Sequence, residues 1–155
     1  MTMKLQFIFV IGLLCVAFNL AADSNRIEHD KGVYAKEEKL KALYQSMAPA
    51  IAKARRTYPR AKAKFLTGLG QGEYFFVVTR LRDKNGAEEQ VFVSVSEIKD
   101  GNIHGYIYNE IQNVSGYEFR QRYSFPESQV FDWVITKPNG EQLGNYIGKF
   151  LKAKQ

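Results

Sequence analysis

Two changes of hydrophobic period predict an α+β domain, with an N-terminal amphipathic helix packed on a twisted antiparallel sheet or small open barrel of about five strands, closed by a short C-terminal helix. Apolar residues recur at helical spacing between Lys36 and Tyr58, switch to period two between Gly70 and Thr136, and return to helical spacing from Leu143. Turn-forming clusters separate the period-two runs, as a meander of short antiparallel strands requires. The resulting division is a signal peptide at 1–22, a flexible lead-in at 23–35 and one α+β domain at 36–155.

The first helix is read from Leu40, Leu43, Tyr44, Met47, Ile51, Ala54 and Tyr58, which hold one phase at about 100° per residue. Pro49 cannot donate to the carbonyl of Gln45, so a kink or a restart capped by Ser46 is expected there. Pro59 is expected to end the helix, because the residue before a proline is pushed out of the α region. Glu73–Leu81 is apolar on both faces, as a central strand would be. Asp83-Lys84-Asn85-Gly86 predicts a tight turn into a strand at Gln90–Val95. Asp100-Gly101 predicts the next turn, into a strand at Ile103–Glu110. Tyr117–Ser124 alternates cleanly, and Val130–Thr136 carries the single tryptophan, Trp133. After Pro138-Asn139-Gly140, the residues Leu143, Tyr146, Ile147, Phe150 and Leu151 follow helical spacing, weakened by Gly144 and Gly148.

The N-terminus has the parts of a secretory signal: Lys4, the apolar run Leu5–Leu20, and the small pair Ala21-Ala22 before Asp23. The run is shorter than the roughly 20 apolar residues of a spanning helix, which favours cleavage over anchoring. The bulky Leu14 before Cys15 argues against lipid modification there. Export to the periplasm or beyond the cell is therefore expected, with no transmembrane segment after cleavage. The mature chain would hold no cysteine, which excludes disulfides, thiol nucleophiles and thiolate metal sites. The full chain has 45% hydrophobic and 14% aromatic residues, and the mature part keeps enough of them to be held together by its core alone.

Charge is uneven. Residues 31–64 carry ten Lys or Arg against Glu37 and Glu38, whereas residues 65–155 are close to neutral. Lys53, Arg56 and Arg60 fall on the outer helix face and predict weak, salt-sensitive contact with anionic surfaces. A nucleic-acid partner is not expected, because an exported chain meets lipid headgroups and wall polymers instead.

Catalysis of the serine–histidine kind needs a base, and only His29 and His104 exist. His104 shares a strand face with Tyr106 and Tyr108, and nothing in the sequence marks a nucleophile for it. No spacing suits a metal, so neither a metal site nor a cofactor is expected. Gly68-x-Gly70-x-Gly72 precedes a strand instead of following one, so it is a connection and not a phosphate loop. Asn113-Val114-Ser115 matches a glycosylation acceptor, a pattern loose enough to arise by chance. Glu89 and Asp132, with His104, are the residues a small envelope hydrolase could use, if they converged. The plainer expectation is that Glu89 closes a hairpin and Asp132 bonds a turn. A recognition surface is expected instead from Arg120, Arg122, Trp133, Tyr106 and Tyr108, since Arg, Tyr and Trp are enriched at binding hot spots.

The ordered series Glu89-x-x-Phe92-Val93-x-Val95, Gly101-x-x-x-Gly105-x-x-x-Asn109, Gly116, Val130-x-Asp132-Trp133 and Gly140-x-x-x-Gly144-x-Tyr146 resembles the YegJ-like family, known as domain of unknown function 2314. The resemblance covers roughly Met47 to Leu151 and includes Met47-x-x-x-Ile51-x-x-Ala54-Arg55. This chain departs from the family pattern at Phe92, where Trp is usual, at Ile111, where Pro is usual, and at Tyr117, where Asp is usual. The resemblance implies an α+β domain, some of whose members are exported and some discussed beside toxin-immunity systems; it implies no activity or cofactor. Together the residues point to a non-enzymatic module that binds an unidentified protein or envelope partner, with immunity-like inhibition among the possibilities.

Overall fold

The computed structural model describes residues 26–154, with side-chain surroundings at Glu38 and from Lys41 onward. The expected signal peptide at 1–22 lies outside the described residues. The first helix, α1, spans Arg26–Thr67, so residues 26–35 of the expected lead-in fall within it.

Helix α1 passes through both Pro49 and Pro59, contrary to the expectation that Pro59 would stop it. Both prolines are exposed, so the carbonyls they leave unpaired face the outer side, where water can satisfy them. The packing stripe meanwhile continues without interruption through Met47, Ala54, Tyr58 and Ala61, all buried. Phe65 extends it further, its ring centroid 5.4 Å from that of Phe75. Burial of this stripe outweighs the two lost backbone bonds. Gly68, at φ 110°, then turns the chain toward the sheet.

Six strands follow, one more than expected: β1 at Tyr74–Arg82, β2 at Glu88–Lys99, β3 at Asn102–Ile107, β4 at Arg122–Pro126, β5 at Asp132–Thr136 and β6 at Gln142–Gly144. They form one antiparallel open sheet in the order β4-β3-β2-β1-β5-β6. The β1–β2 turn is the predicted one, with the Gly86 N–H donating to Asp83 O at 3.1 Å. Asp100 and Gly101 both take positive φ between β2 and β3. Centrally placed β1 is buried on both faces from Phe75 to Thr79, as its continuous apolar run predicts.

The chain reaches β5 from β4 in five residues, the first three coiled in a 3-10 turn at Glu127–Gln129. It must pass β3, β2 and β1, four strand spacings of about 4.8 Å each, or roughly 19 Å. Even a fully extended segment would barely reach. The sheet therefore coils toward α1, and the crossing segment runs beneath the helix. Arg55 Nε donates to Val130 O at 2.9 Å, Lys62 pairs with Glu127 at 2.7 Å, and Thr79 Oγ1 donates to Gln129 O at 3.2 Å.

Two sequence expectations fail in the second half. The alternating run Tyr117–Ser124 enters a strand only at Arg122, because Arg120 adopts φ 66° and breaks the extended backbone. The C-terminal helix, α2, spans Tyr146–Lys152, and Gly144 belongs to β6 instead. Gly144 sits at φ 77°, and a Cβ there would lie 2.2 Å from Trp133 O, so its role is close strand approach and not helix weakening.

Candidate binding face

The coiled sheet buries the larger core cluster on the face under α1. The opposite, more open face carries a smaller buried cluster of Phe76, Val78, Phe92 and Val134, and Arg80 of that side meets the Tyr44 ring of α1 at 4.9 Å. Phe75, Val77 and Leu81 of β1, Val91 and Val93 of β2, Ile103 and Ile107 of β3, and Trp133 and Ile135 of β5 fill the covered side. Alternation sends their neighbours to the open side. Register pairs there align Arg122, Tyr106, Ser94, Phe76 and Val134 across five strands in one row. Tyr108 donates its backbone N–H to Phe92 O at 2.8 Å and so stands over the next row, Phe92 and Val78.

The exposed large aromatic side chains among the described residues lie on this open side. The Tyr108 ring lies 4.9 Å from Phe76 and 5.9 Å from Phe119, and the Arg120 guanidinium lies 5.2 Å from the Phe119 ring. Tyr106, Tyr108 and Phe119 remain 41, 43 and 38% exposed, and Tyr74, two positions from Phe76 on β1, is 60% exposed. Large rings left this open beside two exposed arginines form an amphipathic contact surface of the kind that protein partners bury.

Four of the five expected recognition residues, Tyr106, Tyr108, Arg120 and Arg122, therefore meet on one face. Trp133 does not. It is buried on the covered side at 7% exposure, and its Nε1 donates to Ala54 O at 3.1 Å and to Thr57 Oγ1 at 3.0 Å. Tyr146 stands edge-on to it at 5.9 Å. Trp133 thus ties β5 to α1 and α2. Phe119 was missed because strict alternation grouped it with the half-buried Tyr117 and Tyr123; the left-handed residue Arg120 undoes that phase. A positive φ at an arginine, unlike one at Asp100, leaves no sequence signal.

The loop carrying Phe119 and Arg120, residues 108–121, is held by polar side chains from β2 and its turn. Glu89, buried at 5% exposure, accepts the backbone N–H of Gln112 at 3.1 Å and of Asn113 at 2.8 Å. Asp83 accepts the N–H groups of Asn85, Ala87 and Ser115 and the Ser115 hydroxyl, and the Ser115 N–H above all holds its carboxyl below the usual aspartate range. Asn109 Oδ1 accepts the Phe92 N–H at 2.6 Å, and Tyr117 donates its hydroxyl to Arg82 O at 3.1 Å. Glu89 thus anchors a loop across the sheet instead of closing its own hairpin.

Asp132, fully buried, accepts the Trp133 N–H at 2.8 Å and the Ile147 N–H at 2.7 Å. It supplies the α2 N-terminus with the acceptor that Asn145, the residue at the cap position, does not provide. Burial pushes its carboxyl above the usual aspartate range, while the N–H groups of Ile147, Trp133 and Tyr146 and the Lys149 charge pull against that rise.

The three residues of the hydrolase alternative do not converge. Glu89 follows the phase of Val91 and Val93 toward the covered side, whereas Asp132 shares the phase of Val134 and pairs with Val78. His104 lies on β3, three strands from β5, where its Nδ1 meets Ser124 Oγ at 2.7 Å. Among the described residues no carboxylate bonds the His104 ring. No group of His, Cys, Asp and Glu side chains suited to a metal ion occurs among the described residues either. The basic residues Lys53, Arg56 and Arg60 are exposed on α1, as expected.

No curated protein and no solved structure matches the chain. Residues 44–154 match the family described as an uncharacterized protein conserved in bacteria (DUF2314). That match takes in the last part of α1, all six strands and α2, and the ordered motifs from Met47 onward lie inside it; the chain belongs to the DUF2314 family.

Proposed function

We propose that this chain is an exported, non-enzymatic module that captures a protein partner on the open face of its sheet. The observation that carries the reading is the cluster of half-exposed rings, Tyr106, Tyr108 and Phe119, bordered by Arg120 and Arg122. Such a surface offers an apolar anchor with guanidinium donors beside it, suited to a partner that presents an aliphatic or aromatic side chain next to carbonyl or carboxylate acceptors. The buried carboxylates support the same reading, because Glu89 and Asp132 are occupied by backbone N–H groups and not turned toward a cleft. The signal-like N-terminal run Leu5–Leu20 supports an encounter outside the cytoplasm, with a periplasmic or secreted partner of which an immunity-type target would be one case.

The test is affinity capture of envelope and secreted proteins on the chain purified from an exporting host, where a product beginning at Asp23 is expected. One stoichiometric partner should bind, and Tyr106→Ala/Tyr108→Ala or Arg120→Ala/Arg122→Ala should each weaken it by about 30-fold or more, as hot-spot truncations do. Capture undiminished in both double variants would show that a different surface binds, and an empty capture would remove the proposal.

A further inference from the structure

The helices and the sheet divide the charge of this molecule. Residues 39–72, which take in the larger part of α1, hold eight Lys or Arg and no acid; residues 142–155, with β6 and α2, hold three and no acid. The intervening residues 73–141 hold seven basic and eleven acidic residues. Sheet and crossing segment neutralise two helix cations, Glu127 reaching Lys62 at 2.7 Å and Glu73 reaching Lys64 at 2.8 Å. Arg55 is held by Val130 O. Lys53, Arg56 and Arg60 are exposed, and among the described residues none of them has an acidic partner.

Spacings of three and four residues put Lys53, Arg56 and Arg60 on one stripe of α1 about 10 Å long. That stripe borders α2, because Lys53 Nζ lies 5.0 Å from the Tyr146 ring centroid. Helix α2 adds exposed Lys152, with Lys154 just beyond its end, while the Lys149 ammonium is held by Gly144 O at 2.7 Å. Around that stripe the exposed positions Ala48, Pro49, Ala52, Pro59 and Ala63 are small, and the larger exposed side chains Lys41, Gln45 and Leu66 lie beyond its ends, so the cations stand on a stretch of low relief.

We propose that this composite α1–α2 face adsorbs the domain to an anionic phospholipid bilayer, with lipid phosphate groups as its ligand. Low relief suits a flat surface, and the apolar run Leu5–Leu20 delivers the chain to a membrane, so the choice of lipid rests on the export reading. The face lies on the helices and leaves the aromatic face of the sheet free to hold a partner.

Sedimentation with phosphatidylcholine vesicles, with and without phosphatidylglycerol, tests this independently of export. Binding is expected only with the anionic lipid and should fall steeply with added salt. Arg56→Gln/Arg60→Gln/Lys152→Gln should lower partitioning about 100-fold, roughly fivefold per charge. Arg82→Gln/Lys84→Gln/Lys99→Gln, which removes the same charge from the sheet, should change it no more than a few-fold. Trp133 emission and circular dichroism verify the fold of each variant. Equal losses in both triple variants, binding that survives high salt, or binding to dextran sulfate without binding to vesicles would each overturn the proposal.

Discussion

The two faces of the sheet use the same strands and nearly the same residue types for opposite ends. On the covered side, Trp133 is closed in by α1 and α2, and its indole N–H is satisfied by Ala54 O and Thr57 Oγ1. On the open side, Tyr106 and Tyr108 keep about two-fifths of their surface in solvent. Ring content alone does not separate core from recognition surface. Parity alone does not separate them either, since Phe76 and Phe92 on the open side are 8 and 9% exposed; what does is how far each ring is covered and whether a polar tip has a partner in the fold.

That contrast can be broken at its strongest point. Trp133→Ala should remove about 3–5 kcal/mol of stability, since it empties a large buried site between two helices. Tyr106→Ala and Tyr108→Ala should each cost no more than about 1 kcal/mol, as exposed positions do. Urea unfolding of the three variants checks the difference. Equal losses would mean that the open face is structural, and the binding proposal would lose its basis.

A second comparison concerns the two buried carboxylates. Asp132→Asn should cost about 1–3 kcal/mol at neutral pH, because an amide has one acceptor oxygen where two N–H groups approach separate oxygens, at Oδ1 from Trp133 and at Oδ2 from Ile147. Glu89→Gln should cost less, since Oε2 alone already accepts from both Gln112 and Asn113. Thermal unfolding followed by circular dichroism ranks the two. A larger loss at Glu89 would show that the 108–121 loop, and not the α2 start, is the more tightly held element.

The residues that proved legible in the sequence are those whose signal is local. Period two along Glu73–Leu81, the Asp83–Gly86 turn and the Asp100-Gly101 turn each depend on neighbours in the chain, and each appears as expected. The failures depend on distant partners. Pro59 does not stop α1 because Ala61 and Phe65 have a sheet to pack against. Gly144 marks close contact with Trp133 and not a weak helix turn. Arg120 and Phe119 are set by a left-handed residue in a loop anchored from β2 and its turn. Strand alternation places Tyr106, Tyr108 and Arg122 on one side of the sheet as their spacing implies, whereas Trp133 is buried on the other, a side set by where the helices lie.

The smallest effect expected falls on that loop and depends on pH. Asp83 receives the N–H groups of Ser115, Ala87 and Asn85 and the Ser115 hydroxyl, and they lower its carboxyl below the ordinary aspartate value. A group depressed in the folded state contributes stability that is complete above its unfolded pKa and is lost as pH falls through its folded pKa. Loop order around Ser115 should therefore weaken on the acid side of the usual carboxylate range, while the sheet stays protected. Hydrogen exchange at the Ser115 and Asn113 amides follows this directly. Asp83→Asn should raise exchange at Ser115 at neutral pH and remove most of its acid dependence, leaving Asn113, which is held by Glu89, nearly as in the parent. Acid-sensitive exchange at Ser115 that persists in Asp83→Asn would transfer control of the loop to Glu89. Because Phe119 and Arg120 belong to the same loop, partner capture should weaken over the same acid range if the open face is the binding surface.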